Sequence, residues 1–139
     1  MAFYPDKINE RFYAIRNNGK AERTNAVGTG ASFTCGSFVR FYLEIDIETK
    51  EIKGARFKSN GCGFALAAAD VLLDNVKNKR LNELHGANNN ELRQNIEAAL
   101  GSFNASRRHC LEICLDALHQ ALNDFRSYQI EEFQGEKAL

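Results

Sequence analysis

The chain carries no surplus of charge, since its 18 lysines and arginines are matched by 18 aspartates and glutamates. Nothing in that balance favours nucleic acid or an anionic membrane surface as a partner. Apolar runs approaching the roughly 18 residues that span a bilayer are also missing, so no membrane-crossing segment is predicted. The opening residues Met1-Ala2-Phe3-Tyr4-Pro5-Asp6 have neither the apolar stretch of a signal peptide nor the arginine-rich, acid-poor look of a transit peptide, and a cytoplasmic setting is expected. No CxxC pair occurs, which argues against a zinc ribbon or a thioredoxin-like site. No internal repeat or low-complexity tract is visible.

What remains is 139 residues, the size of one ordinary domain with a core of its own, and residues 1–139 are read as a single domain. Hydrophobic spacing places a short amphipathic helix over residues 3–16, with Pro5 at its start, Ile8, Phe12 and Ile15 on its apolar face, and Asn17-Asn18-Gly19 as its stop. Lys20 to Gly30 reads as a polar loop leading into a short edge strand near Gly30 to Thr34. Phe38 to Asp46 alternates cleanly, with Val39, Phe41, Leu43 and Ile45 on one face, and predicts a half-buried strand. Ile52 to Lys58 answers it across a charged turn as a hairpin. Ile52 is out of phase with Ala55 and Phe57, so a bulge or a start delayed to Gly54 is expected.

Phe64 to Val76 is apolar nearly all round and predicts a buried helix, with Asp70 and Asp74 on its wet side. A brief helical turn at Leu81 to Leu84, a helix from Glu91 to Leu100 capped at Asn90 and ended by Gly101, and a long last helix follow. The last helix starts near Asn104 to Ser106, carries the apolar stripe Leu111, Cys114, Leu115, Leu118, Leu122 and Phe125, and runs to about Tyr128, with a frayed tail from about 129.

The four cysteines, Cys35, Cys62, Cys110 and Cys114, give this frame a chemical character. In a reducing compartment thiols serve more often as metal ligands or reactive groups than as disulfides. Cys62 stands between Gly61 and Gly63, where a strand ends and a helix begins. Glycine on both sides permits a sharp turn and leaves the sulfur unshielded, and the helix N-terminus favours the thiolate. A small buried hydrophobe at a tight turn is the competing interpretation of the same residue. Cys35 and Cys110 also fall at the ends of elements, and ends converge more readily than middles. Thiolates from such junctions are the soft ligands that iron-sulfur clusters and zinc prefer.

Thr34-Cys35-Gly36-Ser37, the block Ala55-Arg56-Phe57-Lys58-Ser59-Asn60-Gly61-Cys62-Gly63, and Arg108-His109-Cys110-Leu111 resemble, in order and separation, the three cysteine blocks of the U-type iron-sulfur cluster scaffolds, the family of IscU and the N-terminal domain of NifU. Tyr13 to Gly19 is similar to the family's opening Asn-Pro-Arg-Asn-x-Gly segment. The resemblance implies an α+β fold, with a small three-stranded antiparallel sheet, an N-terminal helix and several helices packed on one face. It further implies a scaffold that takes sulfur from a cysteine desulfurase, builds a [2Fe-2S] cluster on Cys35, Cys62 and Cys110 plus a fourth ligand, and passes it to acceptor proteins. Sulfur release would be the partner's chemistry, so the chain itself is not expected to be an enzyme. Dimers or trimers around the metal are compatible with the sequence.

Three departures from the family pattern matter. Ser37 stands where the family has an aspartate, and a neutral hydroxyl is a poor replacement for a carboxylate ligand. Phe103-Asn104-Ala105-Ser106-Arg107 replaces the family's Leu-Pro-Pro-Val-Lys, so the chaperone that reads that segment is not implied here. Cys114 is an addition. It lies one turn beyond Cys110 and only about 40° around the helix, within the apolar stripe, so both a ligand and a core residue fit its position. His109 beside Cys110 is a candidate ligand, acid-base group or supporting residue, whereas His85 and His119 are most simply surface residues. Zinc in place of the cluster, with one thiolate freed to accept sulfur from a desulfurase, is the second reading of the same cysteines. A fold-retaining adaptor that binds a desulfurase is the third.

Overall fold

The computed structural model describes residues 5–19, 22–32, 36–85 and 89–138, with side chains included up to residue 127 except at 85 and 89. Helix α1 (Asp6–Tyr13) precedes strands β1 (Ala26–Ala31), β2 (Phe38–Ile45) and β3 (Ile52–Ser59), and helices α2 (Gly63–Val76), α3 (Leu81–His85), α4 (Asn89–Leu100) and α5 (Arg108–Ala138) follow. The strands form one antiparallel sheet in the order β1-β2-β3. This is the α+β arrangement expected from the sequence. Helices α2 and α5 cover one face of the sheet, and α1 and α4 lie against α2. No helix among the described residues is long and apolar enough to cross a membrane.

Alternation in β2 buries Val39, Phe41, Leu43 and Ile45, as the sequence predicts. The register slips between Glu44 and Ile45, so that Glu44 faces Gly54 while Ile45 faces Ile52. That bulge lets Ile52 start β3 and still reach the core, where it is fully buried. The apolar stripe of α5, including Leu111, Leu115, Leu118 and Phe125, closes over the sheet. Each such large side chain taken from water contributes roughly 1.5–3 kcal/mol.

Strand β1 begins at Ala26, inside the stretch that the sequence assigns to a loop, and the part of the expected edge strand at Phe33 and Thr34 lies outside the described residues. Its glycines explain the difference. A Cβ at Gly28 would sit 2.2 Å from the Ala117 carbonyl oxygen and 2.2 Å from the Ala121 nitrogen, and one at Gly30 would sit 1.9 Å from the Ile113 carbonyl oxygen. These glycines are therefore not turn formers; they remove side chains so that the α5 backbone can rest directly on the strand.

Helix α1 stops at Tyr13, short of Asn17-Asn18-Gly19, because that segment has another use. The Asn17 carbonyl accepts the Phe57 N–H at 2.7 Å and the Gly19 N–H donates to the Phe57 carbonyl at 2.8 Å, so the segment lies parallel to β3 as a short strap. The other side of the strap is held by Asp70, which is 0% exposed rather than on a wet side of α2. One carboxylate oxygen accepts the backbone N–H groups of Arg16 (3.1 Å) and Asn17 (2.8 Å), and the other accepts Arg11 Nε at 2.6 Å. Asp74, one turn on, bonds to Arg11, Arg16 and Asn17. Burial works against its charge, yet the hydrogen bonds from Asn17 and Arg11 hold its carboxyl below the usual range. A buried carboxylate is tolerable only when paired and hydrogen-bonded in this way.

Elsewhere the boundaries shift modestly. Helix α4 begins at Asn89, which puts Asn90 inside the first turn, and Gly101 ends it with φ +91°. The Asn104 side chain accepts the Arg107 N–H at 3.1 Å just ahead of α5. Helix α5 continues to Ala138, past the end expected at Tyr128. Apolar period fails there, but Glu131, Glu132, Gln134 and Lys137 are good helix formers, and loss of period is not loss of helical propensity.

Two substitutions test these contacts. Asp70→Ala leaves two amides and Arg11 Nε without their acceptor, and is expected to cost about 3–5 kcal/mol in urea unfolding, with Asp70→Asn intermediate. Gly30→Ala is expected to cost about 1–3 kcal/mol by forcing α5 off the strand, whereas Thr29→Ala on the outer face should cost less than about 1 kcal/mol.

Candidate metal centre

Strand β3 reaches α2 through Asn60-Gly61-Cys62, and each residue has a local reason to be there. Asn60 ties the crossing to the start of β2, accepting the Phe38 N–H at 2.7 Å and donating to the Gly36 carbonyl at 3.3 Å. Gly61 has no room for a side chain, because a Cβ would meet the Ala65 methyl at 2.8 Å and Ser59 Oγ at 3.1 Å. Cys62 is the N-cap of α2, in extended conformation, and its carbonyl accepts the Leu66 N–H at 3.0 Å. The thiol is thereby set at the positive end of the helix, half-buried, as the sequence predicts.

Cys110 approaches from the first turn of α5. Its Sγ lies 3.9 Å from Cys62 Sγ and 3.6 Å from His109 Nε2. The Cys62 thiol is brought down to about 5, first by the hydrogen bond from Cys110, then by the amides of Ala65 and Phe64 and the positive charge of Arg107, which together outweigh burial. Those two amides face the sulfur without completing a capping hydrogen bond. Arg107 stacks on the Phe64 ring, 4.7 Å from its centroid, and Phe64 meets Phe103 edge-on at 5.6 Å. An aromatic and cationic lip thus borders the two sulfurs. It replaces the proline-containing segment of the family pattern.

Cys114 is set apart from this pair. It is 0% exposed, its S–H donates to the Ala65 carbonyl at 3.7 Å, and burial raises its thiol well above the ordinary value. Cys35 lies outside the described residues, as does the side chain of His85, and His119 is half-buried on α5. The neighbours of Cys35 are described. Ser32 and Ser37 are joined by a hydrogen bond of 2.9 Å, Gly36 bonds back to Ser32 at 2.9 Å, and Gly36 is the residue that Asn60 holds. Among the described residues, no three His, Cys, Asp or Glu side chains are grouped closely enough to complete a metal site. Cys62 and Cys110 form a partial one, and His109 lies beside Cys110.

Residue types and spacing did not single out Asn60 as the tie between the two loops, nor the Asn17-Asp70 clamp behind α2. The clamp left one signal, a pair of aspartates four residues apart in a helix that is otherwise apolar nearly all round. The two classes of thiol should separate by reactivity. In metal-free native protein near neutral pH, iodoacetamide is expected to label Cys62 rapidly and to leave Cys114 unmodified until denaturant is added, as peptide mass mapping would show.

Comparison with known proteins shows the family. Residues 3–132 match the family described as NifU-like N terminal domain. The nitrogen fixation protein NifU of Azotobacter chroococcum is 32% identical over 127 residues, a stretch covering 91% of this chain and 40% of that protein. The chain therefore spans well under half of the NifU length. The iron-sulfur cluster assembly scaffold protein IscU of Aquifex aeolicus is 32% identical over 126 residues, covering 90% of this chain and 78% of that one. The fold is shared with the crystal structure of an N-terminal NifU-like protein from Brucella abortus, at a TM-score of 0.69 and 19% identity over 88% of this chain and 94% of that one. With the family matched across nearly its whole length, the chain belongs to the NifU-like N-terminal domain family.

Proposed function

We propose that this chain is an iron-sulfur cluster assembly scaffold that holds a [2Fe-2S] cluster as its cargo through Cys35, Cys62 and Cys110. The observation that carries this reading is the 3.9 Å separation of the Cys62 and Cys110 sulfurs. Two thiolates on one tetrahedral metal, with metal-sulfur bonds of about 2.3 Å, stand about 3.8 Å apart. The pair is thus spaced for a shared metal without rearrangement. A thiolate already favoured at Cys62 removes one of the protons that metal binding must displace.

His109 is the fourth-ligand candidate supported by distance, with Nε2 beside Cys110 Sγ. Ser37 supplies no carboxylate. Cys114 is assigned to the core, because its sulfur is sealed from solvent and occupied by a backbone carbonyl. Cys35 enters through the ties that bind Gly36 to the Cys62 loop. In this role the chain works as a single domain in a reducing, cytoplasmic setting. It receives sulfur from a cysteine desulfurase and delivers the cluster to acceptor proteins, without catalysing sulfur release itself.

Anaerobic reconstitution with ferrous iron, cysteine and a desulfurase tests the assignment. Iron and acid-labile sulfide in equal amounts, with a charge-transfer spectrum abolished by Cys35→Ala, Cys62→Ala or Cys110→Ala and unchanged by Cys114→Ala, is the expected result. One zinc per chain in protein purified without air, with no sulfide incorporated, would favour the zinc-bound sulfur acceptor instead. Retention of the cellular role by a triple Cys→Ser variant would favour the adaptor.

A further inference from the structure

The sheet face opposite α2 and α5 carries an arrangement that the metal centre does not explain. Arg40 and Lys58 stand directly opposite each other in the β2-β3 register, and Arg56 is opposite Tyr42 one row away. All three cations are exposed, and among the described residues none of them forms an ion pair. Like charges placed directly across a sheet reduce its stability, so this pairing breaks a local rule with no compensating acid in sight. Glu44, the acidic residue on the same face, sits at the far end opposite Gly54 and bridges to none of them.

The cations are also held in place. Arg40 Nε donates to Thr29 Oγ1 at 3.0 Å, and Arg56 Nη1 donates to the Arg16 carbonyl at 2.8 Å, leaving the remaining guanidinium donors directed outward. Beside them lies one exposed apolar residue. Val27, which pairs with Tyr42 in the β1-β2 register, is 37% exposed and is one of three large hydrophobic residues exposed among the described residues, whereas Tyr42 itself is buried at 8%. Arginine is among the residue types enriched at protein-protein hot spots.

We propose that this outer sheet face docks an acidic protein surface, with Arg40, Arg56 and Lys58 engaging its carboxylates beside the exposed Val27. The charge argues for a protein over a nucleic acid. The chain as a whole is neutral, so it lacks the extended positive field on which polyanion binding depends. Strand β3 runs from this patch straight into Cys62, so a docked partner would lie beside the candidate metal centre. The docking face itself does not depend on the metal reading.

The test is a titration of isotopically labelled, metal-free protein with a short peptide alternating glutamate and leucine, followed by amide shifts. A glutamine-for-glutamate peptide, duplex DNA and vesicles of anionic lipid serve as comparisons. Shifts confined to Val27, Thr29, Arg40, Tyr42, Arg56 and Lys58 are expected. They should weaken roughly tenfold in R40S/R56S/K58S, whose remaining spectrum reports an intact fold, and at high salt. Shifts that fall elsewhere, persist in the triple variant or appear equally with the glutamine peptide would overturn the proposal, as would tighter binding of DNA or vesicles to the same face. Because no metal is present, none of these results depends on whether the cysteines carry a cluster.

Discussion

A carboxylate with no access to solvent, Asp70, joins three segments that chain order keeps far apart. It sits two turns into α2, receives Arg11 from α1, and captures the amides of Arg16 and Asn17 in the strap that runs beside β3. Strand β3 and helix α2 are the two arms that meet at Cys62. Holding both arms through one buried anion fixes the angle at which they meet, and so the direction in which the thiol is presented. The amide donors matter as much as the guanidinium, because an ion pair alone seldom offsets the cost of removing both charges from water.

The thiol pair depends on this frame but is built by a different device. Cys62 comes from a helix start and Cys110 from another, and the two starts converge because α2 and α5 share the same face of the sheet. Convergence of helix N-termini concentrates partial positive charge where sulfur would ionise. Arg107, stacked on Phe64, adds a full charge at the border of the same space. Helix dipoles and the guanidinium thus act in the same sense on the Cys62 thiol.

Much of this was legible in the residues themselves, for identifiable reasons. Strands β2 and β3 alternate in polarity with period two, and the phase error at Ile52 announced the bulge. The all-apolar character of α2 marked a buried helix, and Gly61-Cys62-Gly63 marked a presented thiol. Other features were hidden by physics that acts over long separations. Asp70 looks like any solvent-facing aspartate until residues more than fifty positions away are seen to enclose it. Glycine in β1 has the same letter whether it makes a turn or admits a helix backbone, and only the path of α5 decides between them. For Cys114 the sequence left ligand and core both open, and the Ala65 carbonyl in contact with its sulfur is a tertiary fact. Cys35 lies outside the described residues.

The bare seat of α5 on β1 has a consequence for how this molecule can change. At Gly28 and Gly30 the strand meets helix backbone, which cannot yield as a side chain can, so the inner surface of β1 is closed to substitution by any larger residue. Its outer positions, Val27, Thr29 and Ala31, bear no such restriction. Selection can therefore rewrite one side of this ribbon while the other stays fixed, which lets the molecule exchange associates without disturbing its own scaffold.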